Sequence, residues 1–250
     1  MNINTKISAL IITKNEAHNI VELIENLTFA DEIIIVDSFS TDATEELATK
    51  FDRVKFYKHK FENYASQRNI ALGYATNSWI LFLDADERLT PELSAEIQET
   101  LKNPSADAYF FYRTYYYKNK PMYFTGLQAD KNIRLFKKEV GTYTGLVHEK
   151  LMVEGKISSL KNKLIHYSFH DYESYKEKLK NYGKLKAKEK FSKGEKYNIF
   201  KHYGHSTYCF LNRYIFRLGF LDGKKGAIVS YLMAYSIWER YSEIKRLRKK

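Results

Sequence analysis

The chain has 250 residues, 44% of them hydrophobic, 28% charged and 16% aromatic, with a single cysteine, Cys209. This composition excludes a disordered chain, and the lone cysteine excludes a disulfide scaffold or a cysteine-rich zinc site. The net charge of +11 is unevenly placed: residues 1–110 carry 10 Lys+Arg against 18 Asp+Glu, residues 111–250 carry 31 against 12, and 18 of the 21 tyrosines lie beyond residue 108. Such polarity predicts an acidic part with one task and a basic, aromatic part that meets an anionic partner: nucleic acid, an anionic membrane surface or a phosphorylated substrate. The opening MNINTKISALIITKNE shows no apolar stretch behind a basic segment, so no secretory signal is expected. Gly226–Trp238, the longest nearly uncharged apolar stretch, has 13 residues against the roughly 20 that span a bilayer, which predicts a cytoplasmic protein.

Short apolar runs alternate with helical patterns through the first hundred residues. Ile7–Thr13 reads as a buried strand, followed by a helix over Glu16–Leu27 with Ile20, Leu23, Ile24 and Leu27 on one face. Glu32–Val36 is a second strand that ends in the polar turn Asp37–Asp42, where Thr41 or Asp42 caps a helix reaching Ala48. Val54–Tyr57 is a third strand, Asn63–Ala75 a helix and Trp79–Leu83 a fourth strand. Continuous apolar strands between helices define a parallel sheet covered on both faces, a doubly wound α/β arrangement whose ligands sit beyond the carboxyl ends of the strands. Asp37 and Asp84-Ala-Asp86 occupy those ends.

Thr90-Pro91 opens another helix, and Ala108–Tyr117 and Lys131–Lys137 extend the sheet in a mixed or antiparallel sense. From Tyr172 the pattern becomes helical: Tyr172, Tyr175, Leu179, Tyr182 and Leu185 form a stripe among lysines, and two more helices are expected over Asn198–Leu218 and Gly226–Arg248. A domain boundary is expected near residue 170.

Asp84 and Asp86 close an apolar strand, and the two-residue period of a strand places both carboxylates on one side, where they can converge on a hard divalent cation. Diphosphate oxygens and water would complete its coordination. A solvated turn with a helix cap is the alternative for an isolated Asp-x-Asp.

In order, LIITKNE, IIIVDSFSTD, QRNIAL, WILFLDADE, IRLFKK, Val147-His-Glu149 and a later His166 resemble the glycosyltransferase family 2 pattern, near its lipopolysaccharide-core β-1,4-glucosyltransferase-like members. The resemblance covers about the first 170 residues and continues more weakly through FLDGKKGA. It implies a GT-A fold, a Rossmann-like mixed sheet with helices on both faces, over residues 1–170. Within it, a nucleotide-sugar half takes about 1–110 and an acceptor half about 111–170, followed by a basic helical extension over 171–250. It also implies a nucleotide-diphosphate sugar donor, by default UDP-glucose, and Mn²⁺ or Mg²⁺.

Residue by residue, the resemblance places Thr13, Asn15 and Glu16 in the nucleotide loop and Asp37 on the base or ribose. Many relatives have two adjacent acids there, where this chain has Asp37-Ser38. Arg68 falls in a segment facing the nucleotide, Asp84 near the ribose or sugar, and Asp86 on the metal with Asp84. His166 resembles a late histidine directed at the metal. Glu149 sits where the family has its acidic catalytic base, with His148 as the competing candidate for inverting transfer. Arg134 orders the acceptor or phosphate side, and Gly126 permits close backbone approach.

The basic aromatic helices, including Arg213–Arg217, Trp238–Tyr241 and Lys245–Lys250, suit the interface of an anionic bilayer as a peripheral inner-membrane contact. A packed core stripe with solvated lysines is the alternative. No recognition module for nucleic acid accompanies them, so a lipid-linked or lipopolysaccharide-core acceptor is expected rather than nucleic acid. Two rivals remain at this stage. A sugar-nucleotide nucleotidyltransferase would carry a Gly-rich basic loop where this chain has Thr13-Lys-Asn-Glu16. A non-catalytic lipid- or RNA-binding protein on an inert GT-A fold would lack turnover.

Overall fold

A computed structural model describes residues 5–145, 149–169 and 172–248. The chain divides into two compact units, Met1–Arg113 with Lys131–His166, and Thr114–Asp130 with Tyr167–Lys250. Residues 114–130 thus group with the helices, a partition that a single cut near residue 170 does not contain.

In the first unit, β1 (Ile7–Thr13) pairs in parallel with β2 (Glu32–Asp37) and β4 (Trp79–Asp84), and β2 pairs with β3 (Val54–Lys58). Antiparallel strands β8 (Lys131–Lys137) and β6 (Ala108–Tyr117) follow, giving the order β3-β2-β1-β4-β8-β6. Alternate side chains commit to opposite faces, as strand geometry requires. Ala9, Ile11, Ile33, Ile35, Leu81 and Leu83 pack with α1 (Ala17–Asn26) and α4 (Pro91–Lys102). Leu10, Ile34, Val36, Ile80 and Phe82 pack with α3 (Tyr64–Tyr74). The expected helix starts at Asn63 and Thr90 are side-chain caps: Asn63 accepts from Ser66 N and Thr90 from Leu93 N. The short α2 (Thr44–Ala48) follows Asp42, whose carboxylate accepts from Thr44 N and Ala17 N.

Several small elements that periodicity did not indicate finish this unit. They are β5 (Glu87–Arg88), the antiparallel pair β9 (Gly141–Thr144) and β10 (Lys150–Val153), β11 (Ile157–Ser159) beside β6, and β12 (Leu164–Phe169) antiparallel to β5.

In the second unit, β6 continues into a hairpin with β7 (Lys120–Met122). Three helices follow: α5 (Tyr172–Ser192), α6 (Ile199–Leu211) and α7 (Lys224–Leu247). At Gly183 on α5 an added Cβ would lie 2.5 Å from the Ser236 carbonyl of α7, so only glycine lets the two backbones approach this closely. Expected as a membrane contact, α7 instead buries Val229, Leu232, Tyr241 and Ile244 as a core stripe of its own unit. Among the described residues no helix is long and apolar enough to cross a membrane.

One buried acid ties the parallel strands together at the end opposite the candidate site. Glu32 accepts from Ser8 Oγ at 2.6 Å, Thr76 N at 2.7 Å and Lys55 Nζ at 2.7 Å, joining β1, β3 and the approach to β4. Burial disfavours its charge, but the bonds from Lys55, Ser8 and Thr76 outweigh burial and hold its pKa down at about 2. A depressed carboxylate pKa contributes stability above the unfolded value, lost as pH falls from about 4.5 toward about 2. Glu32→Ala should therefore cost about 2–3 kcal/mol at neutral pH. Urea denaturation should show the gap between wild type and variant shrinking at about pH 3.

Candidate active site

The register brings three strand ends side by side, pairing Thr13 with Asp37 and Ile12 with Asp84. Thr13 Oγ1 donates to Asp37 Oδ1 at 2.9 Å, and Ser40 N donates to Asp37 Oδ2 at 2.7 Å. Asp37 is fully buried, and these bonds make it the organiser of the β2–α2 turn. Asn15 takes φ of +56° and fastens the same turn: its N donates to Ser40 Oγ at 2.7 Å and its Oδ1 accepts from Thr41 N at 2.8 Å. Glu16 N donates to Thr44 Oγ1 at 2.9 Å, and its carboxylate accepts from Asn19 Nδ2 at 2.8 Å. The three residues expected in the nucleotide loop and Asp37, expected on the base or ribose, therefore share one hydrogen-bonded rim.

Asp84 lies at the centre. Arg68 Nη2 donates to its Oδ1 at 2.6 Å, and Arg134 Nη2 donates to its Oδ2. Arg134 also reaches Glu87 Oε1 at 2.6 Å, which Arg113 Nη1 meets at 3.3 Å, while Glu87 Oε2 accepts from Asp84 N at 3.0 Å. Burial pushes the Asp84 carboxyl up, but Arg134 and Arg68 outweigh it and hold the group well below the usual carboxylate range. Both guanidiniums keep their charge although buried, because burial is overcome by Asp84 for Arg68 and by Asp84 and Glu87 for Arg134. Arg68 also stacks over Phe82 and Tyr143, at 4.6 and 5.4 Å from the ring centroids, and burial pushes the Tyr143 hydroxyl up to about 12. Asn69 pins that tyrosine by donating to its carbonyl at 2.8 Å and accepting from its N at 2.9 Å.

The acidic pair differs from the two-carboxylate expectation. The strand ends at Asp84 and the chain turns through Ala85 and Asp86, so the two-residue alternation does not extend to the second acid. Asp84 is taken by arginines, whereas Asp86 Oδ2 meets His166 Nε2 at 3.2 Å. The β12–β5 pairing of His166 with Glu87 brings this histidine across 80 residues of chain. An aspartate oxygen beside an imidazole nitrogen is a donor set that fits Mn²⁺. Among the described residues no group of three His, Cys, Asp or Glu side chains forms a complete metal cage, so such an ion would complete its shell from substrate and water.

Glu149 lies 3.6 Å from Arg68 and so joins the Asp84 network. His148 lies outside the described residues. Arg134 is central, although its partners are Asp84 and Glu87. Gly126 belongs to the second unit, where its φ of +82° follows a positive φ at Thr125, and the Arg217 side chain lies 3.5 Å from where a Cβ would stand. Sequence reasoning did not assign roles to Glu87, Arg113 and Tyr143. Glu87 was visible as a third acid after the strand and Arg113 as a cation within an aromatic strand, while nothing marked Tyr143.

Residues 8–156 match the description Glycosyl transferase family 2. The chain is 30% identical to an uncharacterized glycosyltransferase of Rickettsia prowazekii, over 97% of this chain and 87% of that protein. It is 28% identical to the lipopolysaccharide core biosynthesis glycosyltransferase LpsC of Rhizobium meliloti, over 94% and 93% of the two chains. A crystal structure of S. aureus TarS 1-349 aligns at 16% identity with a TM-score of 0.48, over 98% of this chain and 91% of that one. The family match, on a mixed sheet whose β2 and β4 end in acids on either side of β1, defines the class, a glycosyltransferase with the GT-A arrangement. The chain belongs to glycosyl transferase family 2.

Arg134→Ala strips Asp84 and Glu87 of a shared buried cation and should cost about 3–5 kcal/mol in chemical denaturation. Arg134→Lys retains the charge and should recover part of that loss, because one ammonium cannot reproduce the guanidinium fork.

Proposed function

We propose that this enzyme transfers a sugar from a nucleotide-diphosphate donor to a lipopolysaccharide-core or other lipid-linked saccharide, with inversion and with Glu149 as general base. The observation that carries the reading is the junction of Glu149, Arg68 and Asp84 beside the Asp86–His166 pair, at the strand ends where α/β sheets hold their ligands. The rim of Thr13, Asn15, Glu16 and Asp37 would hold the nucleoside. LpsC, matched over almost its whole length, supports an acceptor of the lipopolysaccharide-core type. Crystal structures of glucosyl-3-phosphoglycerate synthase from Mycobacterium tuberculosis contain Mn²⁺ with UDP-glucose, which makes UDP-glucose with Mn²⁺ the first donor pair to test.

In the reaction, the acceptor hydroxyl oxygen attacks the anomeric carbon as the bond to the diphosphate oxygen breaks, and the leaving oxygen keeps the electron pair. Glu149 takes the hydroxyl proton. Asp86 and His166 would hold the divalent ion, which when bound neutralises charge on the leaving diphosphate. Arg68, fixed between Asp84 and Glu149, keeps both carboxylates oriented. The basic second unit would bring the enzyme to the inner-membrane surface that carries the acceptor.

Glu149→Gln should lower kcat by about 10²–10⁴-fold with little change in donor KM. Unchanged turnover in this variant would remove Glu149 as the base. In a thermal-shift screen of nucleotide sugars, the stabilising donor should require Mn²⁺, and Asp86→Ala should abolish that Mn²⁺-dependent shift together with turnover.

A further inference from the structure

Helix α6 is amphipathic in the wrong direction for a soluble protein. Its inward residues, His202 and Ser206, are polar and only 5% and 8% exposed, and His202 packs on Trp238 with ring centroids 4.1 Å apart. Phe200, Tyr208 and Leu211 share the opposite face at helical spacing and stand exposed, with Phe200 at 84%. The apolar surface continues past the helix, where a π-helical turn over Asn212–Phe216 is followed by exposed Leu218, Phe220 and Leu221. Phe216 is 73% exposed. Large apolar side chains exposed in this number along one short segment mark an interaction site.

The charges around it select the partner. Residues 199–225 hold five Lys/Arg and one acid. That acid, Asp222, is buried and committed to Tyr123 N at 3.1 Å and Phe124 N at 2.9 Å. Beside the turn lies a cavity of about 350 Å³ lined by Arg213, Arg217, Arg240 and Asn212, with no carboxylate in its wall. Arg240 Nε is buried there without a hydrogen-bond partner. Guanidinium forks match phosphate oxygens. Apolar side chains interleaved with arginines, next to a cationic cavity, combine what an anionic lipid interface demands.

We propose that the outward face of α6 and its following turn, residues 199–221, dock on an anionic phospholipid bilayer. Phe200, Tyr208, Leu211 and Phe216 enter the interface, and Arg213 and Arg217 engage headgroup phosphates. The assignment rests on the membrane-linked acceptor proposed above and narrows the contact to α6 and its following turn, since the apolar stripe of α7 is internal.

The test is co-sedimentation of the full chain with phosphatidylcholine vesicles, with and without phosphatidylglycerol. Wild type should bind only the anionic vesicles. F200S/F216S should keep the wild-type Tm and lose at least about tenfold in affinity, since two large apolar side chains no longer enter the lipid. Arg217→Gln should lose about fivefold, and less at high salt. Wild-type affinity in F200S/F216S overturns the inference while leaving membrane binding intact. A wild-type dimer that F200S/F216S disperses without altered vesicle binding also overturns it, in favour of a second copy of the chain. Failure of the wild type to bind any vesicle removes the membrane reading as a whole, and the sugar-nucleotide reading is judged separately by donor binding.

Discussion

Everything at the candidate site is organised around one half-buried carboxylate held by two buried guanidiniums. Asp84 ends β4, and Arg68 from α3 and Arg134 from β8 each take one of its oxygens. Two cations and one anion cannot stand alone in a buried environment, so Glu87 must be recruited to Arg134 and Glu149 to Arg68. With Arg113 on Glu87, three guanidiniums and three carboxylates balance only as a group. Removing any partner exposes the others to an uncompensated desolvation cost, which makes the network rigid.

That rigidity has a functional consequence. A carboxylate clamped by two arginines is poorly suited to a metal, whereas Asp86, one turn beyond the strand, is placed against His166. The Asp-x-Asp spacing thus divides two tasks between its acids. The first anchors the protein's own cations, and the second pairs with a histidine. Glu87, three residues from Asp84, closes the motif by accepting from the Asp84 backbone N and from Arg134.

The two units solve opposite physical problems. The first covers both faces of its sheet and leaves polar groups at the strand ends. The second packs α7 internally and turns aromatic and aliphatic residues of α6 outward among cations. The positive surplus of the chain lies in the second unit and the acidic surplus in the first. The net charge of +11 therefore comes from the second unit, and no single electrostatic description covers both.

The parallel strands, their helices and the acids at their ends were legible in the sequence because their periods are local: Ile7–Thr13, Glu32–Val36 and Trp79–Leu83 are apolar runs that only a covered sheet satisfies. Motif order likewise carried the family. The partners of each charge were not legible. Arg134 reaches Asp84 across 50 residues and His166 reaches Asp86 across 80, and no local pattern encodes a contact at that separation. The short strands β9 to β12 escaped for the same reason, being held by their neighbours rather than by their own propensity. Helices were legible where α6 and α7 lie, but helical spacing is identical for a stripe that faces a core and one that faces outward. Only packing decided that α7 is internal and that the exposed apolar face belongs to α6.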